Sequence, residues 1–254
     1  MKREEMKAVL DMFLSMPLYS SKEVFKAFSS LKGAVYKESM LHEKQRFLYI
    51  PGTREDRVLL AAHADTVWDE YYIGERLERT PVWENGIVRG SNPLCGLGAD
   101  DRAGCAMLYL LKDSGHSLLI LDGEEHGQIG ANYLMDYYPE LAREINNHHY
   151  IIQLDRRGSS DYKTYRLPVT EDFLRFIEAK TGYQNAGYFS CTDIVALCRE
   201  ICGVNLSVGY HEEHRSTEHL VYAEWEHTLE MVGRILAEPQ DRYLLMWPAN
   251  PWIA

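Results

Sequence analysis

Val58-Leu59-Leu60-Ala61-Ala62-His63-Ala64-Asp65 is a short apolar run that ends in an imidazole and a carboxylate. It lacks the alternation of a half-exposed strand and is continuously apolar, as a central strand covered on both faces should be. Two later runs have the same form. Ser117-Leu118-Leu119-Ile120-Leu121 leads into Asp122-Gly123-Glu124-Glu125, and Tyr150-Ile151-Ile152-Gln153-Leu154 leads into Asp155. Buried or half-buried charges need partners, so strands of this kind rarely end in bare carboxylates by accident. In open α/β sheets ligands bind beyond the carboxyl ends of the strands. His63, Asp65, Glu124, Glu125 and Asp155 all fall there.

Outward from these runs, helical patterns cover residues 3–15, 22–31, 102–111, 129–146, 170–180, 192–201 and 222–236. Ser20 or Ser21 is the expected cap of the second. Further strands are expected at 34–36, 46–50 and 203–208, the first two half-exposed, and Glu84-Asn85-Gly86 reads as a hairpin turn. Strand and helix alternate throughout. That pattern predicts an α/β three-layer sandwich with a mixed, mostly parallel central sheet and helices on both faces. No repeat, low-complexity run or linker divides the 254 residues, so residues 1–254 are expected to form one domain.

Composition is that of a soluble globular protein, with 46% hydrophobic and 26% charged residues. A formal charge of −11 argues against nucleic acid and anionic membranes as partners. The five cysteines include no Cys-x-x-Cys pair and suit buried, reduced thiols in a cytoplasmic protein. Cys198 and Cys202 have no matching pair with which to build a zinc site. The N-terminal stretch mixes acids with bases and is broken by Asp11, which fits an amphipathic helix rather than a signal peptide. No stretch has the apolar length of a membrane span.

His63 and Asp65 share one face of an extended strand. An aspartate there can hold the second ring nitrogen of a metal-bound histidine; the plainer alternative is a surface His-x-Asp pair. Asp100 and Asp101 lie in Gly96-Leu97-Gly98-Ala99-Asp100-Asp101-Arg102-Ala103-Gly104, a glycine-rich bend before a helix. A helix start favours a carboxylate. Asp100 could bridge two metals; the plainer alternative for the doublet is helix capping, which explains one aspartate but two poorly. Adjacent Glu124 and Glu125 can face one site only if the chain turns at Gly123. One could then bind metal while the other serves as general base. Carboxylates with a few imidazoles suit zinc, manganese or cobalt.

Taken together, His63-Ala64-Asp65, Gly98-Ala99-Asp100-Asp101-Arg102-Ala103-Gly104, Glu124-Glu125 and Asp155 resemble, in order and spacing, the superfamily of zinc exopeptidases with two co-catalytic metals. The resemblance spans about residues 58–235. It implies two divalent ions, zinc by family habit with cobalt or manganese as alternatives. By the same resemblance His63 and Asp155 would bind one ion, Asp100 would bridge, and Glu125 would bind the other. Asp65 would orient His63 and Glu124 would be the catalytic base. The family also uses a late histidine. Tyr210-His211-Glu212-Glu213-His214-Arg215-Ser216-Thr217-Glu218-His219 is similar to its Tyr-Tyr-x-Glu-His-Thr-x-x-Glu stretch, with His214 in the ligand position and Arg215 where Thr is usual. His211 and His219 are the other candidates.

Only 58 residues separate Asp155 from His214, and 36 separate His63 from Asp100. Neither interval accommodates the inserted lid or β-domain of some branches. A lidless, single-domain aminopeptidase-like member is implied, although His63-Ala64-Asp65-Thr66-Val67 is closer to the tripeptidase-like branch. The expected substrate is a short peptide, or an N-acyl amino acid if the protein is a deacylase. A tripeptidase- or carboxypeptidase-like exopeptidase is the other enzymatic alternative, and a non-catalytic binding protein of the same fold the remaining one. Tyr71, Tyr72 and Trp83 are candidates for a specificity pocket or for packing on the core, and Glu212-Glu213 for recognition of a free amino group or for a solvated loop. Association into a homo-oligomer is left open, as is docking of the proline-rich tail Met246–Trp252.

Overall fold

The computed structural model describes residues 2–69 and 73–247; Tyr71, Tyr72 and the tail beyond Trp247 lie outside the described residues. In chain order the strands are β1 (Val35–Glu38), β2 (Arg46–Ile50), β3 (Leu59–His63), β4 (Pro81–Glu84), β5 (Ile87–Gly90), β6 (Ser117–Leu121), β7 (Ile151–Arg156), β8 (Asp161–Lys163), β9 (Gln184–Asn185), β10 (Gly203–Ser207), β11 (Tyr210–His211) and β12 (His219–Val221). Eight of them form one sheet in the order β1-β2-β6-β3-β7-β10-β8-β9. The central four, β6, β3, β7 and β10, run parallel, while β2 and β8 flank them antiparallel. β3, β6 and β10 are buried at every position, so both faces of the sheet are covered.

The covering helices fall into two groups. One comprises α1 (Arg3–Leu14) and α3 (Ala99–Leu110), which pack together, with α3 lying on β3 and β7. The other comprises α4 (Ile129–Tyr137), α5 (Pro139–Asn146) and α7 (Asp193–Leu197), with α4 against β2 and α7 against β7 and β10. The mixed, mostly parallel α/β sheet expected from the sequence is present. Each fully buried leucine or isoleucine of β6 contributes about 1.5–3 kcal/mol.

Local expectations shift in physically readable ways. The single helical pattern at 129–146 divides at Tyr138, because Pro139 cannot continue a helix and takes the first position of the next. The helix expected over 192–201 ends at Leu197, and Ile201 instead bridges to Leu244. β1 and β2 are not both half-exposed. β1 is the sheet's edge and exposed throughout, whereas β2 lies between β1 and β6 and is wholly buried. Ser21 precedes helix α2 (Lys22–Ser29) without capping it, since its hydroxyl donates to Asp122 Oδ2 at 2.6 Å.

The hairpin at Asn85-Gly86 forms, both residues having positive φ. It belongs to a second, four-stranded antiparallel sheet, β11-β12-β5-β4, that the sequence did not announce. Trp83 on β4 donates to Asp11 of α1 at 2.6 Å and carries Lys7 over its ring, so it packs on α1. At the C-terminus, Leu245 N donates to Glu200 O and Met246 N to Pro168 O, which docks the chain on its own body as far as it is described.

Registry puts the ends of three parallel strands side by side, with His63 of β3 opposite Leu121 of β6 and Leu59 opposite Ile151 of β7. Gly104 sets the approach of α3 to this edge. A Cβ there would run into Leu154 O of β7 and the Asp101 carboxylate, which accepts from Gly104 N. Gly104→Ala should therefore force α3 off β7 and lower stability by about 1–3 kcal/mol, measured as the urea midpoint; an unchanged midpoint would contradict this packing.

Candidate metal centre

At the carboxyl edge of β3 the His63 side chain is almost fully buried, and its Nε2 faces Asp100 Oδ1 at 3.1 Å and Asp155 Oδ1 at 3.2 Å. Its other ring nitrogen, Nδ1, lies 3.3 Å from Asp65 Oδ1, close enough for an ion pair though not aligned as a hydrogen bond. Burial alone would depress the imidazolium, yet the charge of Asp155 and the contacts to Asp100 and Asp65 raise its pKa well above the usual range.

Asp100 sits at the start of α3, and the Asp100–Asp101 peptide bond is cis. The two aspartates have different partners. Asp101 Oδ2 accepts from His63 N at 3.1 Å and its Oδ1 from Gly104 N at 2.9 Å, so both its oxygens are used by the backbone. Asp100 instead turns one oxygen to each histidine: Oδ1 to His63, and Oδ2 to His214 Nε2 at 3.2 Å. His214 Nε2 also lies 3.0 Å from Glu125 Oε2. Hydrogen bonds to Asp100 and Glu125 push the His214 pKa up to about 11.

Past β6 the chain turns at Gly123, with φ +74°, into a single 3₁₀ turn, Glu124–His126. A β-carbon at Gly123 would crowd Ile129 and Lys44, so glycine serves here on both counts. The turn presents two successive N–H groups to one carboxylate: Glu124 N donates to Asp65 Oδ1 at 3.2 Å and Glu125 N to Asp65 Oδ2 at 3.3 Å. Asp65 thus touches the imidazole of His63 and the backbone that carries both glutamates. Burial, followed by the charge of Asp155, pushes the Glu124 carboxyl well up. Burial, followed by Asp100, pushes Glu125 up to about 7.

Asp155, at the end of β7, is held by residues that the sequence reading passed over. Gln153 Nε2 and Thr192 Oγ1 each donate to its Oδ2 at 2.9 Å, and Tyr210 OH donates to Oδ1 at 3.3 Å. Asn205 Nδ2 donates to its main-chain oxygen at 3.1 Å. Glu218, which fills the last position of the Tyr-Tyr-x-Glu-His-Thr-x-x-Glu stretch around His214, was given no role there. It is buried and accepts from Gly98 N at 2.6 Å and Asp100 N at 3.0 Å, fixing the bend that aims Asp100. A signal existed for two of these: Gln153 and Asn205 interrupt otherwise apolar strands.

His211 and His219 lie elsewhere. Their rings stack on each other at 5.3 Å between centroids, and His211 Nε2 pairs with Glu224 at 2.6 Å. Glu212 and Glu213 pair with Arg215 and Arg157. Of the five cysteines, four are buried and Cys191 is exposed at the rim of the cleft.

Around His63 and His214 gather Asp65, Asp100, Asp101, Glu124, Glu125, Asp155 and Asp193. Asp193 is fully buried, and neither of its oxygens has a hydrogen-bond partner. Seven carboxylates face two imidazoles, and several are driven toward protonation. A divalent cation would relieve that repulsion. The donor atoms suit one, since His63, Asp100 and Glu125 offer ligand atoms within 4.8 Å of one another, as do His63, Asp101 and Asp155. Asp101 is the weaker donor because the backbone already occupies both of its oxygens.

No protein-family model and no curated protein sequence matches this chain. Solved structures do. The aminopeptidase PepT from Bacillus cereus is 16% identical with a TM-score of 0.65, the match covering 93% of this chain and 98% of that one. A tripeptidase from Staphylococcus aureus is 13% identical with a TM-score of 0.67 and the same coverage. The TET1 peptidase of Pyrococcus horikoshii, which can assemble into a tetrahedron or a large octahedral shell, is 15% identical with a TM-score of 0.61, over 92% of this chain and 99% of that one. The chain has the fold these peptidases share.

Because Asp65 serves His63 and the glutamate turn together, Asp65→Asn should weaken divalent-metal affinity by about 10–100-fold, read by isothermal titration with zinc. Unchanged affinity would show that Asp65 does not organise the centre.

Proposed function

We propose that this protein is a zinc-dependent exopeptidase of short peptides, an aminopeptidase by preference, with residues 1–254 as one lidless catalytic unit. The observation that carries this is the carboxylate of Asp100, which turns one oxygen to His63 and the other to His214. That is the arrangement a bridging ligand needs. His63 and Asp155 would hold one cation, and Glu125 and His214 a second, with Asp100 between them. Cobalt or manganese could take the same donors. The segment between Asp155 and His214 provides β8, β9, β10 and two helices of the body, which supports a catalytic unit without a lid. No helix among the described residues is long and apolar enough to cross a membrane. Five unpaired cysteines support placing the protein in the cytoplasm.

When bound, such a pair of cations polarises the scissile carbonyl and makes a nearby water acidic enough to attack at neutral pH. The chain's own groups do the rest. Glu124 takes a proton from the attacking water as its oxygen bonds to the carbonyl carbon. It returns that proton to the leaving nitrogen as the C–N bond breaks. Burial raises the proton affinity of Glu124, which suits a group that must accept a proton and give it back. Asp65 holds Glu124 in place through the backbone N–H rather than through the carboxylate, leaving the latter free to work.

Glu124→Gln should lower kcat on dipeptides by about 10²–10⁴-fold while metal content, read by mass spectrometry, stays at the wild-type level. Retained activity in this variant would overturn the assignment. A panel of peptides with free and acetylated amino termini separates the two enzymatic readings. Cleavage of free-amine peptides alone supports the aminopeptidase, and cleavage of acetylated ones alone moves the protein to the deacylases. Chelation should abolish turnover and lower the melting temperature, because a cation that binds only the folded chain stabilises it.

A further inference from the structure

Beside the acidic centre the same cleft, about 380 Å³ in volume, has a basic wall formed by Arg156, Arg157 and Lys163. Two of these charges are already matched. Arg156 makes a two-pronged pair with Asp161, Nε to Oδ1 at 2.7 Å and the terminal nitrogen to Oδ2 at 2.8 Å. Arg157 pairs with Glu213 at 2.6 Å. Lys163 differs. Its Nζ donates to Phe189 O at 2.6 Å and Ser190 Oγ at 3.2 Å, both uncharged acceptors, and among the described residues no carboxylate pairs with it. An ammonium has three donors, so one remains for a further acceptor. Burial, and after it the charges of Arg156 and Arg157, lower the pKa of Lys163, and Asp161 offsets them only in part.

The sheet fixes where this lysine stands. Asn205 of β10 is the partner of Lys163 on one side and of Gln153 on the other, and both Gln153 and Asn205 hold Asp155. Lys163 is therefore two strand spacings, about 10 Å, along the sheet from the strand that carries Asp155. A residue spans at most about 3.5 Å, so an extended substrate of three residues covers that distance. The cleft is acidic at one end and basic at the other, and its volume lies near the lower limit for small-molecule sites.

We infer that Lys163 binds a carboxylate of the substrate, so that the cleft selects short peptides bearing a free C-terminal or side-chain carboxylate beyond the bond to be cut. This rests on the peptidase reading for its chemistry, but binding can test it separately. The probes are Ala-Ala-Ala, Ala-Ala-Ala-amide and Ala-Ala-Glu-amide, titrated calorimetrically into zinc-loaded Glu124→Gln protein, which binds without turning over. A main-chain site predicts that Ala-Ala-Ala binds at least roughly tenfold tighter than both amides. A side-chain site predicts that Ala-Ala-Glu-amide outcompetes Ala-Ala-Ala-amide by a similar factor.

Adding Lys163→Gln, which keeps a donor for Phe189 O and Ser190 Oγ but removes the charge, should bring the favoured ratio to about one. Adding Lys163→Arg should restore most of it. In the active enzyme the same change should appear in KM rather than kcat. Equal binding of all three probes by the Lys163-containing protein overturns the inference, as does a preference that survives Lys163→Gln. If wild-type protein hydrolyses nothing yet binds the carboxylate probes through Lys163, the inference stands and the peptidase reading falls.

Discussion

Seven carboxylates brought out of water around two imidazoles are the constraint on which the rest of this structure turns. In a medium of low polarity such groups repel one another, lose their hydration and favour protonation. The fold answers with hydrogen bonds to most of them, Asp193 excepted. Asp65 receives two backbone N–H groups, Asp101 two more, and Asp155 four side-chain donors. Two positive charges behind the site add to this. Lys44 is wholly buried and pairs with Asp69 and Asp122, while Arg46 pairs with Asp122, whose Oδ1 accepts from Gly123 N at the start of the glutamate turn. Around His63 and His214, Asp100 and Glu125 are answered only by the imidazoles, and Asp193 by no hydrogen bond at all.

The division of labour within the acidic pairs follows from the backbone. Adjacent residues ordinarily point to opposite sides, and the aspartate pair has one member turned toward the cleft and the other into the scaffold. Asp100 faces the histidines while Asp101 binds the backbone of β3 and α3. At Glu124-Glu125 the turn at Gly123 alters that rule. Both carboxylates are buried against the same cluster, and Asp65 holds both from behind. Gly98 and Gly123 lie in the left-handed region, where side chains are disfavoured, and they permit the two bends on which these pairs depend.

Polarity within the cleft gives it direction. Its acidic end carries the candidate cation ligands, and its basic end carries one lysine that pairs with no carboxylate among the described residues. Glu212 and Glu213, which composition alone offered as partners for a substrate amine, are tied to Arg215 and Arg157. Glu212 is taken by Arg215 three residues on, and Glu213 by Arg157, which follows β7.

The sequence by itself determined the strands that build the site. Continuous apolar runs at 58–62 and 117–121 can only be buried, and their charged endings name the edge where chemistry is to be sought. Most of the ligand set was legible for the same reason, since each candidate directly follows a strand or opens a helix. Three things were decided by tertiary structure alone. The diversion of His211 and His219, the alternatives to the His214 that the motif singled out, depends on β11 and β12, which turn His211 toward Glu224 and stack it on His219. The support of Asp155 by Thr192 and Asn205, and of Asp100 by Glu218, joins residues 37, 50 and 118 positions apart. Lys163 gained meaning only once Asp161 and Glu213 were seen to occupy its two arginine neighbours. Local pattern records what a residue must bury; which partner it meets is fixed by packing between distant segments.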